Sequence, residues 1–319
     1  MPGTPQVIAV TGVAGFIGSN LADRLLAEGH RVIGIDNLAY GVREQVPQGV
    51  EFHQVDIRSP EIYPLLTGLD AVFHLAAKNC ISDCQLDPVE TASINVLGSV
   101  NVFEACRRGE VGKVVYAESS ALYEGTAALP TPESELAPES FYARSKAAER
   151  HFADGYERVG GLRMTALRYF CVYGPRQDYR RTIPPVMSAF MIKLARGERP
   201  TIYGTGEKRR DFVYVDDVND FHLQCLADSR TDGRAFNLGS GVSWSVREIF
   251  EKVRDLLGSD VEPIHAADLP GEAFETRSDV SAARALGWEP RTSLDEGLRR
   301  SYEYIQEHVL GSSRAAAAR

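Results

Sequence analysis

Short apolar runs alternate with stretches of helical periodicity through the first half of the chain. The runs predict six β-strands, at residues 6–10, 31–35, 50–55, 71–76, 113–117 and 164–170. Between them, the spacing of apolar residues predicts helices at residues 16–28, 88–108 and 141–159. Alternating strands and helices are typical of βαβ units, and strands that are apolar throughout fit a parallel sheet buried on both faces. The pattern predicts an α/β fold with a Rossmann-like, doubly wound parallel sheet.

The pattern changes after Gly174, where prolines and glycines break the chain into loops and short helices. Three features are predicted there: a strand leading into a helix at 211–218, a turn at 237–241 and an amphipathic helix at 246–257. We therefore expect a smaller α/β lobe beside the sheet. The sheet domain is predicted to comprise residues 1–172 and about 211–240, the lobe about 173–210 and 241–309, and a frayed tail 310–319.

Three glycines follow the first predicted strand at regular spacing: Gly12, Gly15 and Gly18. Glycine permits a tight strand-to-helix turn and lets the backbone approach a pyrophosphate at the positive end of the helix. Asp36 ends the second strand, where an acid would accept hydrogen bonds from the ribose hydroxyls of NAD and repel the 2′-phosphate of NADP. Such a turn can also be purely structural, but glycines, helix, strand and acid in this order favour an NAD site.

Tyr142 and Lys146 lie four residues apart in the third predicted helix, so their side chains project from one face. Tyrosine is a poor base at neutral pH, but a nearby ammonium and the positive nicotinamide of NAD⁺ favour the phenolate and lower its pKa. Ser119 and Ser120 end the fifth strand, at the sheet edge where ligands of α/β folds bind. The Tyr–Lys pair alone also fits a solvent-facing helix; its place after the glycines and serines points to catalysis.

With these motifs, the chain resembles the extended short-chain dehydrogenase/reductase family and, within it, the nucleotide-sugar 4-epimerases. The resemblance runs from about Val7 to about Tyr304. Besides the glycines, it is carried by segments 74–77, 119–123, 142–146, 168–176 and 210–217.

The resemblance implies that the sheet domain binds NAD and the lobe binds a nucleotide sugar. Tyr142, assisted by Ser119, would take the proton of the sugar 4-hydroxyl while C4 delivers hydride to NAD⁺. The 4-keto sugar would turn over and receive the hydride on its other face, so that NAD is regenerated and stays tightly bound. Lys146 would bond the nicotinamide ribose and tune Tyr142. Further cofactor contacts are expected at Phe16, Ile17, Asn37, Asp56, Ile57, Leu75, Ala76, Ala77 and Tyr169.

The residues after Ser119 separate epimerisation from related reactions. The 4,6-dehydratases of this family carry an Asp-Glu pair at the positions of Ser120 and Ala121, and UDP-glucuronate decarboxylases carry a Glu at that of Ala121. This chain has no acid at either position. Glu124 falls where the family usually has Gly, and the sequence assigns it no role. The expected enzyme is an isomerase, an NAD-dependent 4-epimerase of a UDP-sugar.

A diphosphate needs cations. The family places an arginine at Arg210, and its second arginine falls on the apolar Leu269, with Arg277 as the nearest substitute. The segment around Tyr203 resembles the one that lines the uracil. The whole set of predicted substrate contacts is Lys78, Ser119, Ser120, Tyr142, Cys171, Arg176, Arg181, Tyr203, Arg210 and Arg277.

The kind of sugar is predicted from one position at which this chain differs from related epimerases. Epimerases of UDP-glucuronate carry an arginine for the C6 carboxylate where this chain has Asp178, which would repel an acidic sugar. A neutral substrate is therefore favoured, either the UDP-glucose/UDP-galactose pair or the N-acetylhexosamine pair. UDP-glucuronate stays the alternative, because Arg180 and Arg181 could compensate.

Composition restricts the partners and the compartment. Lys and Arg total 35 against 44 Asp and Glu, a net charge of −9 that disfavours nucleic acid. No apolar run reaches the about 18 residues of a membrane span, and no secretion signal is expected. The five cysteines lack metal-ligand spacing and favour free thiols in a cytoplasmic protein without a metal site. The family usually forms homodimers, here expected through the helices at 88–108 and 141–159.

Two other functions remain open. One is a net redox enzyme or dehydratase, such as a nucleotide-sugar reductase that releases NAD(P)H, although Asp36 disfavours NADPH. The other is a non-catalytic NAD-binding protein, which the intact set of Tyr142, Lys146 and Ser119 disfavours.

Overall fold

The computed structural model describes residues 4–181, 183–268 and 273–311. Leu269 and residues 312–319 of the predicted tail lie outside the described residues. The described part contains twelve strands: β1 (Val7–Thr11), β2 (Arg31–Asp36), β3 (Glu51–Gln54), β4 (Ala71–His74), β5 (Val114–Ser119), β6 (Met164–Tyr169), β7 (Cys171–Tyr173), β8 (Thr201–Tyr203), β9 (Arg209–Tyr214), β10 (Arg234–Leu238), β11 (Ser243–Ser245) and β12 (Ile264–Ala266). It also contains eleven α-helices: α1 (Phe16–Ala27), α2 (Ile62–Leu65), α3 (Ile81–Leu86), α4 (Pro88–Ala92), α5 (Ser99–Arg108), α6 (Phe141–Arg158), α7 (Val186–Ala195), α8 (Val215–Ala227), α9 (Val246–Leu257), α10 (Ser281–Arg284) and α11 (Leu294–Ile305).

Seven strands form one parallel sheet in the order β10-β6-β5-β4-β1-β2-β3. The order changes direction between β1 and β4, which is where a doubly wound sheet opens a crevice at its carboxyl edge. All six strands predicted from the sequence are present, with every end within two residues of the prediction. The predicted fold class is confirmed.

Two apolar layers cover the faces of this sheet. Ile8 and Val10 of β1 belong to one layer, which α1 and α8 complete, whereas Ala9 belongs to the other, which α2 and α5 complete. Successive side chains of a strand point to opposite faces, so this alternation buries the sheet on both sides. No helix among the described residues is both long and apolar enough to span a membrane.

The second half of the chain builds two smaller sheets, β11-β9-β7 and β12-β8. A third apolar core joins Phe190 of α7, Phe250 of α9 and Leu298 of α11 to Phe212 of β9. The strand predicted at 211–218 is β9, which runs directly into α8, and α9 has the predicted bounds. The division of the chain into sheet domain and lobe stays a prediction.

Several predicted elements need correction. The turn predicted at 237–241 is wrong at its start, because β10 continues through Leu238. Asn237 was read as a turn residue, but it is buried in the strand, and its amide donates to the carbonyl oxygens of Thr131 (2.9 Å) and Asp279 (3.0 Å). The helix predicted at 88–108 is interrupted by a π-helical stretch, Ser93–Gly98. The last helix continues as a second π-helical stretch, Gln306–Leu310, which includes the first residue of the predicted tail.

Candidate active site

A cavity of about 890 Å³ opens at the carboxyl edge of the large sheet. Residues at the ends of β1, β2, β4, β5 and β6 line one side, and residues of α7, β8 and β9 line the other. The cavity thus lies at the change of strand order, between the sheet and the smaller lobe. Ligands of open α/β sheets bind at this position.

The structure brings every predicted cofactor contact to the wall of this cavity. They are Gly12, Gly15, Phe16, Ile17, Gly18, Asp36, Asn37, Asp56, Ile57, Leu75, Ala76, Ala77, Tyr142, Lys146 and Tyr169. They come from five strand ends and two helices that are far apart in the sequence. Their convergence follows from the parallel sheet, which places all its carboxyl ends at one edge.

The turn between β1 and α1 has no room for side chains. Gly12 has a φ of +74°, and a Cβ added there would lie 2.8 Å from the backbone nitrogen of Ala76. A Cβ at Gly18 would overlap the carbonyl oxygen of Gly12. Helix α1 begins after Gly15 without a side-chain cap, which leaves backbone N–H groups of its first turn for a ligand. The turn therefore fits the pyrophosphate of a dinucleotide.

Asp36 is fixed at the end of β2 by the backbone around it. Its carboxylate accepts hydrogen bonds from the N–H groups of Ala14 (3.0 Å) and Leu38 (2.8 Å). Burial nevertheless raises the pKa of Asp36 above its ordinary value. A carboxylate held in this way beside the glycine turn suits the hydroxyls of a ribose and opposes a 2′-phosphate.

Asn37 and Asp56 form the neighbouring part of the wall. The amide of Asn37 donates to the carboxylate of Asp56 at 2.9 Å, and the guanidinium of Arg58 lies 2.7 Å from the same carboxylate. The hydrogen bond from Arg58 holds the pKa of Asp56 well below its ordinary value. Asp56 therefore presents a fixed negative charge next to the position expected for the adenine end of the dinucleotide.

Tyr142, Ser119 and Lys146 line the cavity together, on the first turns of α6 and at the end of β5. The hydroxyl of Ser119 lies close enough to the phenol of Tyr142 to favour its ionised form. The ammonium of Lys146 donates to the carbonyl oxygen of Ala117 at 2.9 Å. Burial raises the pKa of Tyr142, while Lys146 and Ser119 act to lower it. Lys146 therefore acts on the Tyr142 pKa in the expected direction, but the opposite effect of burial is larger.

Glu124, to which the sequence assigned no role, fixes the start of the helix that carries Tyr142. Its carboxylate accepts hydrogen bonds from the backbone N–H (2.7 Å) and the hydroxyl (2.8 Å) of Ser140 and from the backbone N–H of Glu139 (3.1 Å). Ser140 is itself the N-cap of α6 and accepts from the N–H of Ala143 at 3.0 Å. A negative charge at a helix N-terminus also interacts favourably with the helix dipole, so Glu124 stabilises the start of α6.

Among the predicted substrate contacts, a majority line the cavity: Ser119, Tyr142, Cys171, Arg181, Tyr203 and Arg210. Arg181 and Arg210 approach it from two separate segments of the lobe. Both arginines therefore belong to the part of the cavity wall that the lobe supplies.

Lys78 and Ser120 lie outside this lining. Lys78 is buried, and its ammonium donates to the backbone oxygen of Asp87 at 3.5 Å, because the chain turns into α3 just after the cavity wall. Ser120 begins a 3₁₀ turn, Ser120–Tyr123, which points the chain away from the cavity after Ser119.

Arg176 and Arg277 also lie outside the lining. Arg176 has a φ of +67°, and its guanidinium lies 2.5 Å from the carboxylate of Asp23 on α1, which ties the lobe to the sheet domain. The guanidinium of Arg277 lies 3.8 Å from Glu275. Both arginines were predicted from their sequence positions, but packing between distant segments decides which cations reach a cavity.

The cavity lining also includes polar residues that the predicted set lacked, among them Asn79, Gln177, Asp178, Arg180, Lys193 and Lys208. Lys193 could not have been found, because α7 itself was not predicted. Lys208 lies two residues before Arg210, and charge clustering around a predicted phosphate contact was an available signal. Asn79 lies two residues after the predicted wall segment at 75–77.

Asp178 forms ion pairs with the two arginines that follow it, Arg180 and Arg181. Its carboxylate accepts a hydrogen bond from the guanidinium of Arg180 at 3.0 Å, and that of Arg181 lies 3.4 Å away. The three side chains line the cavity as one cluster. Their charges partly compensate one another, so the cluster offers less attraction to an acidic sugar than two free arginines would.

Comparison with known proteins agrees with this geometry. Residues 8–239 match the NAD dependent epimerase/dehydratase family. The chain is 36% identical over 307 residues to the UDP-glucose 4-epimerase of Mycolicibacterium smegmatis, covering 93% of this chain and 97% of that protein.

Two solved structures are similar throughout. UDP-N-acetylglucosamine 4-epimerase from Methanobrevibacter ruminantium, in complex with UDP-N-acetylmuramic acid, has a TM-score of 0.92 and 30% identity, covering 96% of this chain and 99% of that chain. UDP-glucose 4-epimerase from Thermus thermophilus, in complex with NAD, has a TM-score of 0.89 and 34% identity, covering 95% and 100%. This chain belongs to the NAD dependent epimerase/dehydratase family.

Proposed function

We propose that this protein is an NAD-dependent 4-epimerase of a neutral UDP-sugar. One observation carries the proposal: Tyr142, Ser119 and Lys146 share a cavity with the glycine turn and Asp36. The activities named for the similar proteins, UDP-glucose and UDP-N-acetylglucosamine 4-epimerases, support it.

The residues present fit NAD. The backbone of the glycine turn and the first turn of α1 would hold the pyrophosphate, and Asp36 would accept hydrogen bonds from ribose hydroxyls. Lys146 gives two N–H groups to acceptors of the described protein, Ala117 and Glu149, and has a third for a ribose hydroxyl. When bound, NAD would supply the group that accepts a hydride from C4 of the sugar and returns it to the opposite face of C4.

Tyr142 is the proposed acid and base. It would remove the proton of the 4-hydroxyl and give it back after the sugar has turned over, while Ser119 donates a hydrogen bond to the reacting oxygen. Its buried phenol resists ionisation, so positive charge must make the proton transfer possible. Lys146 supplies such a charge next to Tyr142.

The lobe offers a cationic wall for the diphosphate. Arg181, Lys193, Lys208 and Arg210 line it from separate segments, and we propose that they share the two phosphates. Tyr203 is half-exposed on β8 and presents a ring that can stack on the uracil.

Asp178 supports a neutral sugar. Its ion pairs with Arg180 and Arg181 reduce the net positive charge that this cluster could present to the carboxylate of a UDP-glucuronate. We therefore place UDP-glucose/UDP-galactose and the N-acetylhexosamine pair first, with UDP-glucuronate as the alternative. Incubating the purified protein with each UDP-sugar and reading the C4 configuration by NMR tests this order. Epimerisation of UDP-glucuronate in preference to both neutral pairs would overturn it.

We propose that the protein forms a homodimer through the helices around α6. Leu86, Val89, Leu97 and Phe152 are exposed by 85%, 79%, 60% and 47% on α3, α4, the π-helical stretch and α6, which contact one another. Apolar groups in such number at one place are typical of a protein interface. A cytoplasmic location is also proposed, and the absence of disulfide bonds among the described cysteines supports it.

A further inference from the structure

A buried acid, Glu149, contacts the lysine of the proposed catalytic set. It lies one turn after Lys146 on α6, and its carboxylate is 2.7 Å from the Lys146 ammonium. Glu149 is completely buried and Lys146 is 2% exposed. The pair therefore has almost no contact with solvent, and each charge depends on the other.

Glu149 is itself fixed by a chain of hydrogen bonds through the sheet domain. Its second oxygen accepts from the hydroxyl of Ser99 at 3.0 Å, which lies 2.9 Å from Nε2 of His74. Nδ1 of His74 lies 2.7 Å from the hydroxyl of Thr11, which also accepts from the N–H of Ala76. Burial lowers the pKa of His74 to about 3, so its ring is neutral and has one donor and one acceptor.

These contacts allow one consistent assignment of hydrogen-bond donors and acceptors from Thr11 to Glu149. If Thr11 donates to Nδ1, then the Nε2–H of His74 donates to Ser99. The one O–H of Ser99 is shared between Glu149 at 3.0 Å and the carbonyl oxygen of Asn95 at 2.7 Å. The carboxylate thus stays an acceptor on both sides. It meets the ammonium on one oxygen and the hydroxyl on the other.

The other charges nearby do not replace Glu149. The titratable groups that face the pair are Tyr142 of α6, His74 of β4, and Tyr116 and Glu118 of β5. Glu118, the second acid among them, already has partners: it is 2.5 Å from the guanidinium of Arg168 and 3.3 Å from that of Arg150. Glu149 is therefore the direct counter-ion of Lys146.

Burial alone would remove the charge of Lys146. Taking an ammonium out of water lowers its pKa by up to several units, and a nearby carboxylate reverses this effect. Here burial acts to lower the pKa of Lys146, but Glu149, with Tyr142, raises it above its ordinary value. Without the carboxylate, a neutral amine would face the phenol of Tyr142.

We infer that Glu149 is a positioning residue, which keeps the buried ammonium of Lys146 charged and fixed toward Ala117 and so makes Tyr142 competent for proton transfer. This inference rests on the proposed function of Tyr142 and Lys146. It assigns Glu149 no contact with substrate or cofactor, since it does not line the cavity.

NMR of the full-length protein, with lysine labelled with ¹³C at Cε, measures the charge of Lys146 directly, and a Lys146→Arg variant assigns its resonance. In the unmodified protein, Lys146 should stay charged to at least its ordinary titration range. In Glu149→Gln, which keeps a hydrogen-bonding side chain but removes the charge, it should titrate about two or more pH units lower. Glu157→Gln, on the same helix, is the matched control and should leave the titration unchanged.

A second readout is the pH dependence of turnover. Glu149→Gln should lose kcat as the pH rises through the new titration of Lys146, while KM for the UDP-sugar changes by less than about twofold. If Glu149→Gln does not fold, Glu149→Asp, whose carboxylate is one methylene further away, should still move the Lys146 titration down by about one unit. An unmoved titration in the folded variant overturns the inference. The titration needs no substrate, so epimerase activity of the unmodified protein tests the proposed function separately.

Discussion

The carboxylate of Asp36 accepts a hydrogen bond from the backbone N–H of Ala14, with 3.0 Å between the two atoms. The bond joins the acid that ends β2 to the turn between β1 and α1. The two parts of the cofactor site are therefore held in one geometry before any ligand arrives. A ribose and a pyrophosphate can bind without ordering either part, which lowers the entropic cost of binding.

Removal of the Asp36 charge should weaken NAD binding and relax its selection against NADP. Asp36→Asn keeps an oxygen for the Ala14 N–H but loses the charged acceptor for the ribose hydroxyls. Because hydrogen bonds to a charged group are the stronger ones, NAD affinity should fall by about tenfold or more. Titration of cofactor-depleted protein with NADH and NADPH measures both effects. Glu28→Gln, at the exposed end of α1, is the control. An unchanged preference for NADH in Asp36→Asn would contradict the assigned role.

A single methyl group in the glycine turn should remove the cofactor. In Gly12→Ala the new Cβ would lie 2.8 Å from the Ala76 nitrogen at a φ of +74°, so the turn must distort. We expect purified Gly12→Ala to carry little NAD and to lose about 2 kcal/mol or more of unfolding free energy. Gly155→Ala is the matched control, because its added Cβ on α6 would meet no atom within 4 Å beyond its chain neighbours and the nearby backbone of its own helix. It should instead stabilise the protein by up to about 1 kcal/mol.

Loss of the Tyr142 hydroxyl should abolish turnover without loss of cofactor. Tyr142→Phe removes the proposed acid and base, and kcat should fall by about 10²–10⁴-fold. NAD content should stay at the level of the unmodified protein. Tyr156→Phe makes the same change about four turns later on α6, where the hydroxyl donates to the backbone oxygen of Val100, and should leave kcat unchanged. Near-normal turnover in Tyr142→Phe would exclude Tyr142 from the reaction.

A charge on the apolar surface around α6 should dissociate the dimer. Val89 is 79% exposed on α4, and Val89→Asp would bury a carboxylate in the proposed interface. Light scattering should then give the 35.1 kDa mass of one chain, and the unmodified protein twice that mass. Val242→Asp, at an exposed apolar site of the lobe, should leave the dimer intact. A monomeric unmodified protein would contradict the proposed assembly.

Buried neutral histidine makes the fold sensitive to acid. Burial lowers the pKa of His222 from 6.5 to about 3, so below pH 6.5 the unfolded chain binds a proton that the folded chain does not. The unfolding free energy must then decrease as the pH falls from about 6.5 toward 3, by about 2 kcal/mol at pH 5 for this residue. Urea unfolding at pH 7 and pH 5 measures this change. Between the two pH values, the unfolding free energy should decrease less for His222→Gln than for the unmodified protein. Equal decreases would mean that His222 is already protonated in the fold.

The sheet domain was predictable because its signals are local. Strand and helix periodicity, the glycine turn and the helical spacing of Tyr142 and Lys146 each lie within a few residues of sequence, and the parallel topology then places their ends together. Helix α11 had such a signal too, since Ser293 accepts a hydrogen bond from the N–H of Glu296 as its N-cap, a pattern readable in advance.

The substrate side of the site was only partly predictable. Arg176 was expected to meet the substrate, but it pairs with Asp23 of α1, and that contact forms only when the lobe packs on the sheet domain. Lys193 reaches the cavity from a helix that the sequence did not indicate. Glu149 was within reach of prediction, because it lies three residues after Lys146, but only its burial shows that the two charges must pair.

Transfer of deuterium from C4 of the sugar tests the central claim most directly. Purified protein, without added cofactor, would be incubated with UDP-glucose that carries deuterium at C4, and the products analysed by NMR. We expect UDP-galactose with the deuterium still on C4, because hydrogen leaves and returns within one closed site. Deuterium lost to water, or turnover that needs added NAD in proportion to product, would contradict it.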